Sequence, residues 1–162
     1  MRKRKVKILL SALMMLCMVL SGLSVSAADD RLGEVVDGSI LTDEMQAEYG
    51  EPSKTKGTYL SSGSGSVTNL GGRQVYISGR TNCYRVSDEV SVTLTLQRLE
   101  GNSWVYVGSV GPVCAYNTYT VSASRTFSVS GGYYYRVKGT HAAIKGSTGE
   151  SCSSYSNGIW VY

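Results

Sequence analysis

The sequence predicts an all-β protein, an antiparallel sandwich of about seven short strands of the immunoglobulin or fibronectin type. Three observations predict it. From Tyr59 onward the apolar residues recur with a period of two, not 3.6. Glycine-based turn signals punctuate that pattern about every ten residues. The composition, 19 Gly, 2 Pro and 12 Tyr in 162 residues with a single His, suits an exported β domain and argues against a helical bundle, a coiled coil or a disordered chain.

The chain opens with a cationic stretch, Arg2, Lys3, Arg4, Lys5 and Lys7, followed by the apolar run ILLSALMMLCMVL over residues 8–20. Val25 and Ala27 then satisfy the small-residue rule for signal cleavage, so residues 1–27 read as an export signal. An uncleaved membrane anchor is the competing reading, but 13 apolar residues fall short of the roughly 20 a spanning helix needs. Cys17 follows Leu16, too bulky for a lipidation site. The expected product is secreted and extracellular, with no stable membrane span after cleavage. The precursor carries a net charge of +4; removing the five signal positives leaves eleven positive against twelve negative charges, a net of −1.

Residues 28–58 hold eight acids against Arg31, Lys54 and Lys56, a net of −5. Within them residues 42–50 fit a short helix, with Thr42 as N-cap, acids in the first turn and Gly50 as the stop. With few apolar residues to bury, the segment is predicted to be a mobile acidic arm. It either stays solvated or folds back on the domain over residues 59–162, whose net charge is +4.

The strands follow in order. A first one lies around residues 59–70. Val75, Ile77 and Gly79 then alternate with Gln74, Tyr76, Ser78 and Arg80, and Val90, Val92, Leu94 and Leu96 with Ser91, Thr93 and Thr95. A short loop at residues 100–102 reverses the chain, and Trp104, Tyr106, Gly108 and Val110 share a face of the next strand. Tyr119, Val121, Ala123, Phe127 and Val129 alternate with a ladder of Ser and Thr. Arg125 interrupts that apolar face, which predicts a bulge or an edge position where the guanidinium reaches water. A glycine turn at 130–132 leads into Tyr133, Tyr134 and Tyr135, and the last strand carries Ile159 and Val161 on one face and Trp160 and Tyr162 on the other.

Little catalytic chemistry is written in the chain. His141 is the one available base, and it falls in register with Tyr133, Tyr135, Val137 and Gly139 on the inner face, as a hydrogen-bonded structural histidine would. A thiolate pair of His141 with Cys83 or Cys114 is the alternative, against which an oxidising compartment favours a disulfide. The domain's carboxylates are Asp88, Glu89, Glu100 and Glu150, and Asp88 and Glu89 point to opposite sides of a strand, so no glycosidase pair is assembled. The cysteines and His141 lack zinc spacing. Gly63, Gly65, Gly71 and Gly72 precede no helix and cradle no phosphate. No catalytic residue, metal or cofactor is therefore expected. The basic residues are scattered and export removes the partner, so nucleic acid is not expected either. Exposed aromatic rows, Trp104 with Tyr106 and Trp160 with Tyr162, either stack sugars or form cross-strand core pairs.

If the strands run up and down, the tight turns at 70–72, 100–102 and 130–132 share one end. The longer connections 82–88, 111–117 and 142–151 gather at the other, where recognition usually sits. Tyr84, Arg85, Tyr116 and Lys145 are the candidate ligand-binding residues of that end. Each connection carries or abuts one of Cys83, Cys114 and Cys152. In a fibronectin-like order Cys83 and Cys114 flank adjacent strand ends and are the expected disulfide, closing a loop of about 30 residues worth roughly 3 to 4 kcal/mol. Cys152 is left free or pairs between chains, and Cys83–Cys152 is the alternative bond.

The runs GSILTDE (38–44), GTYLSSG (57–63), VTNLGGRQVYISGRTN (67–82), LQRLEGNSW (96–104), GGYYYRVKGTH (131–141) and ESCSSYSNGI (150–159) resemble an uncharacterised family of secreted proteins of Gram-positive Firmicutes, known as a domain of unknown function. The resemblance spans nearly all of the chain beyond the signal and implies no activity and no site residue. A second likeness, carried by His141-Ala142 and Lys145-Gly146, is to lactococcin 972-type bacteriocins, which are about half as long. The expected function is thus a secreted, non-catalytic recognition or interaction module at or outside the cell envelope, with cell-wall glycan or another secreted protein as partner. A secreted antimicrobial or toxin-like protein is the second expectation and an enzyme the third.

Overall fold

Ten strands hydrogen-bond into one continuous sheet among the residues described. The structure, a computed structural model, describes residues 30–48, 53–54 and 57–162. The expected export signal, residues 1–27, lies outside these. The strands are β1 (Val35–Val36), β2 (Ser39–Thr42), β3 (Gln46–Glu48), β4 (Ser53–Lys54), β5 (Leu60–Gly71), β6 (Gln74–Glu100), β7 (Ser103–Ser128), β8 (Tyr133–Lys145), β9 (Thr148–Tyr155) and β10 (Gly158–Val161). The sheet runs β1-β2-β10-β8-β6-β5-β3, with β4 on β5, β7 on β6 and β9 on β8.

The all-β class stands, but the architecture differs from a sandwich of two separate antiparallel sheets. β6 and β7, 27 and 26 residues long, form one bent ribbon that belongs to both layers. Residues 74–83 of β6 pair with β5, and residues 89–98 pair with β8, while β7 follows β6 along its other edge throughout. The sheet therefore curls over itself as a half-barrel. It is mixed, because β10 pairs with β2 in parallel. The connections expected at 82–88 and 111–117 lie inside these strands. Between Asn82 and Ser87 β6 advances five residues while β7 advances two, from Thr120 to Thr118. This wide bulge bends the ribbon and lets the sheet turn its corner without breaking.

Alternation puts Val75, Ile77, Val90, Val92, Leu94, Leu96 and Val137 in the shared core, each with 0% exposure. The layers meet closely where glycine faces a large side chain: a Cβ on Gly79 would lie 2.5 Å from Leu94 Cδ2. Arg125 takes the expected edge position. It is exposed on β7, donates to Ser109 O at 3.2 Å and covers the Phe127 ring at 5.0 Å.

The acidic segment is not a separate arm from Arg31 onward: Arg31–Tyr162 forms one compact unit. Asp37 and Gly38, with φ of 48° and 77°, make a two-residue turn that joins β1 to β2. The few apolar residues of this hairpin are used efficiently, since Val36 and Leu41 are buried with Leu99 and Tyr134 in a second cluster. The expected helix over 42–50 does not form in its described part. The Thr42 hydroxyl accepts the Glu44 N–H at 3.1 Å as a cap would, yet Gln46–Glu48 continues as a strand against Ser66–Thr68 of β5; residues 49–50 lie outside the described ones.

Candidate functional site

The corner of the ribbon gathers the four residues expected to bind ligand. Glu89 pairs with Tyr116 on one side and Ile144 on the other, and Lys145 Nζ meets Asp88 Oδ1 at 2.5 Å. Tyr84 and Arg85 protrude on the bulge just before them. Tyr84 and Tyr116 are 60% and 67% exposed. Gly146 N–H, at 2.8 Å, and the Lys145 ammonium hold the Asp88 carboxyl below the usual carboxylate range. Register and the bulge thus bring the four residues to the same corner of the ribbon.

The cysteines do not fit the expected Cys83–Cys114 bond. Cys83 is buried in the core, while Cys114 is exposed and both are free thiols. Val113 and Ala115 on either side of Cys114 pack inward, so strand alternation points Cys114 outward, opposite Ser91. The two thiols lie on opposite faces of the same sheet. The sequence argument failed because it placed Cys114 in a loop. Burial raises the Cys83 thiol, and the neighbouring Glu89 carboxylate raises that of Cys114.

His141 is fully buried and wired as a neutral imidazole. Thr81 Oγ1 donates its proton to Ser91 O at 2.9 Å, so towards His141 Nδ1, 2.8 Å away, it can only accept. Nδ1 therefore carries the hydrogen and Nε2 accepts from Ser154 Oγ at 2.8 Å. Burial pulls its pKa down to about 4. A second buried polar centre is Arg136, 2% exposed. Its guanidinium stacks between Trp104 and Tyr155, 4.4 and 4.9 Å from the ring centroids. It donates to Gln97 Oε1, Ser39 Oγ, and both the backbone and carboxylate oxygens of Asp37. Arg136 and Trp104, whose Nε1 reaches Val36 O at 3.1 Å, thereby tie the N-terminal hairpin to the sheet.

The outer face of β5, β6 and β7 carries a groove of about 530 Å³. Register aligns its residues in rows across the strands: Ser64, Arg80 and Ser122; then Glu48, Ser66, Ser78 and Ser124; then Gln46, Thr68, Tyr76 and Thr126. The serine row is the floor. Tyr76 lies in the row on one side of it and Arg80 in the row on the other, and Glu48 continues it onto β3. Ser66 and Ser78 hydroxyls share a hydrogen bond at 2.8 Å, and Arg80 Nε donates to Ser122 Oγ at 3.0 Å. Among the described residues the hydroxyls of Ser64, Ser124 and Tyr76 make no hydrogen bond within the protein. This surface was missed by the sequence reading, which placed Tyr76, Ser78 and Arg80 on a wet face but did not set three strands side by side.

Fold and groove together define an all-β protein of one curled sheet with a polar cleft on its outer face. The chain belongs to a family of unknown function, DUF6147, whose family model matches residues 28–158. The expected kinship with an uncharacterised family is thereby met, and the match takes in the acidic segment as well as the main strands. Neither the curated proteins nor the solved structures give a match, and the likeness to lactococcin 972-type bacteriocins gains no support.

Proposed function

We propose that this protein is an exported, non-catalytic recognition module acting at or outside the cell envelope, and that it binds through the groove on β5, β6 and β7. One observation carries the reading. The groove is an open, polar concavity on a three-strand platform, lined by hydroxyls of which those of Ser64, Ser124 and Tyr76 have no protein partner among the described residues. Its chemistry favours binding over turnover, because among the described residues of the lining Glu48 is the one carboxylate and hydrolysis of a glycosidic bond needs two. His141 offers no base there, buried as it is in the core. The corner with Tyr84, Arg85, Tyr116 and Lys145 is the competing surface, but Tyr84 and Arg85 stand exposed on a bulge, whereas small-ligand sites are concave.

Co-sedimentation of the secreted protein with isolated cell envelopes tests the reading. Ser78→Trp, which fills the floor, is expected to weaken binding at least tenfold, while Tyr84→Ala and Tyr116→Ala leave it unchanged. The opposite pattern would move the site to the corner. Intact mass of the culture-supernatant protein checks export, with cleavage expected after Ala27 or Ala28.

A further inference from the structure

We infer that the groove takes a neutral glycan chain lying across the strands, an inference that rests on the recognition reading above. The direction comes from the register. Ser66, Ser78 and Ser124 face one another on adjacent strands, with Glu48 extending the row onto β3. Neighbouring strands lie about 4.8 Å apart, close to the length of one pyranose along an extended β-linked chain. Successive sugars laid along the row would therefore meet one hydroxyl-bearing strand each.

The chemistry of the lining selects among ligand classes. A hydroxyl both donates and accepts, as sugar hydroxyls do, so a serine floor pairs with either partner. An apolar or lipid ligand would bury these hydroxyls unpaired, at a cost of about 1–3 kcal/mol for each. A peptide strand binds by main-chain bonds to a free sheet edge and by pockets for alternate side chains; a sheet face floored with serine supplies neither. A polyanion calls for several cations, whereas among the described residues this lining holds one, Arg80, balanced by one carboxylate, Glu48. The Tyr76 ring supplies what the hydroxyls lack, an apolar face with a polar tip against which the C–H face of a pyranose packs. Arg80 spends Nε on Ser122 and keeps its terminal nitrogens for ligand oxygens.

Affinity electrophoresis of the mature protein tests this, in gels containing hydroxyethyl cellulose, glycol chitin or polygalacturonate. Retardation is expected in at least one of the first two gels and not in polygalacturonate. Tyr76→Ala and Ser78→Trp are each expected to weaken it at least tenfold, and Tyr76→Phe, which keeps the ring, by less than threefold. Thermal melting of each variant first confirms that it is folded. Retardation by polygalacturonate alone, or by no glycan, while envelope binding still responds to Ser78→Trp, would overturn the glycan and leave the recognition groove standing. Envelope binding that ignores Ser78→Trp would overturn both.

Discussion

Gly63 of β5 lies directly against the imidazole of His141 on β8, so close that a Cβ built on Gly63 would overlap the ring. The ring cannot give way, because Thr81 and Ser154 hold both of its nitrogens. Contact between the two layers of the curled sheet therefore depends on a missing side chain. Gly63→Ala is expected to destabilise the protein by about 1–3 kcal/mol, the usual cost of overpacking a core. Denaturant unfolding checks it; a midpoint equal to wild type would mean that the layers are further apart than described.

His141 makes stability depend on pH. Its folded pKa is about 4 against an ordinary 6.5, so between these values the unfolded chain binds a proton that the folded chain does not. Stability is expected to fall as pH drops from 6.5 to 4, by a total of about 3 kcal/mol, and this contribution is flat outside that window. His141→Gln is expected to flatten the melting profile there. An unchanged profile would assign the acid sensitivity elsewhere.

Glu150 acts in a lower window. Its carboxylate accepts the N–H groups of Thr58, Tyr59 and Leu60 at 2.8, 3.0 and 2.7 Å, and these bonds, that from Leu60 foremost, hold its pKa below the ordinary 4.5. Its contribution is present above pH 4.5 and disappears as pH falls through the folded value. Glu150→Gln is expected to lower the melting temperature at neutral pH and to lose this acid limb while keeping the one due to His141. Hydrogen exchange would show whether the start of β5 loosens first.

Removing residues 28–42 is expected to lower the melting temperature clearly, because Leu99 and Tyr134 lose the cover of Val36 and Leu41, and Arg136 is left without Asp37 and Ser39. Arg136→Ala should also destabilise the protein, by about 3–5 kcal/mol, the cost of breaking a buried charged network. A truncated protein that melts like the full one would restore the mobile arm that composition suggested.

That reversal shows what was legible. Period-two alternation named the inner residues of β6, such as Val90 to Leu96, because a half-buried strand imposes it locally. It placed Arg125 at an edge for the same reason. Composition misjudged the acidic segment, although Asp37-Gly38 between Val36 and Ser39 is a strong hairpin signal in its own right. The groove was harder to read. Ser66, Ser78 and Ser124 are far apart in sequence, and only the register of three strands makes them a row. Continuity of β6 through residues 83–86 was hidden because the bulge exposes Tyr84, Arg85 and Val86 together, a pattern that reads as a loop.

The cysteines give an inexpensive check on that register. In the native protein a thiol reagent is expected to label Cys114 first and Cys83 last, as their exposure dictates. Non-reducing peptide mapping should yield no Cys83–Cys114 peptide. Finding that bond would require one of the two strands to be flipped.

The most direct test of the binding groove is a map of backbone amide chemical shifts in the mature protein as un-crosslinked peptidoglycan strands are added. The groove reading expects the perturbed amides to cluster at Ser66, Ser78, Arg80 and Ser124, with Tyr84, Tyr116 and Lys145 unmoved. Shifts confined to those last three would contradict it.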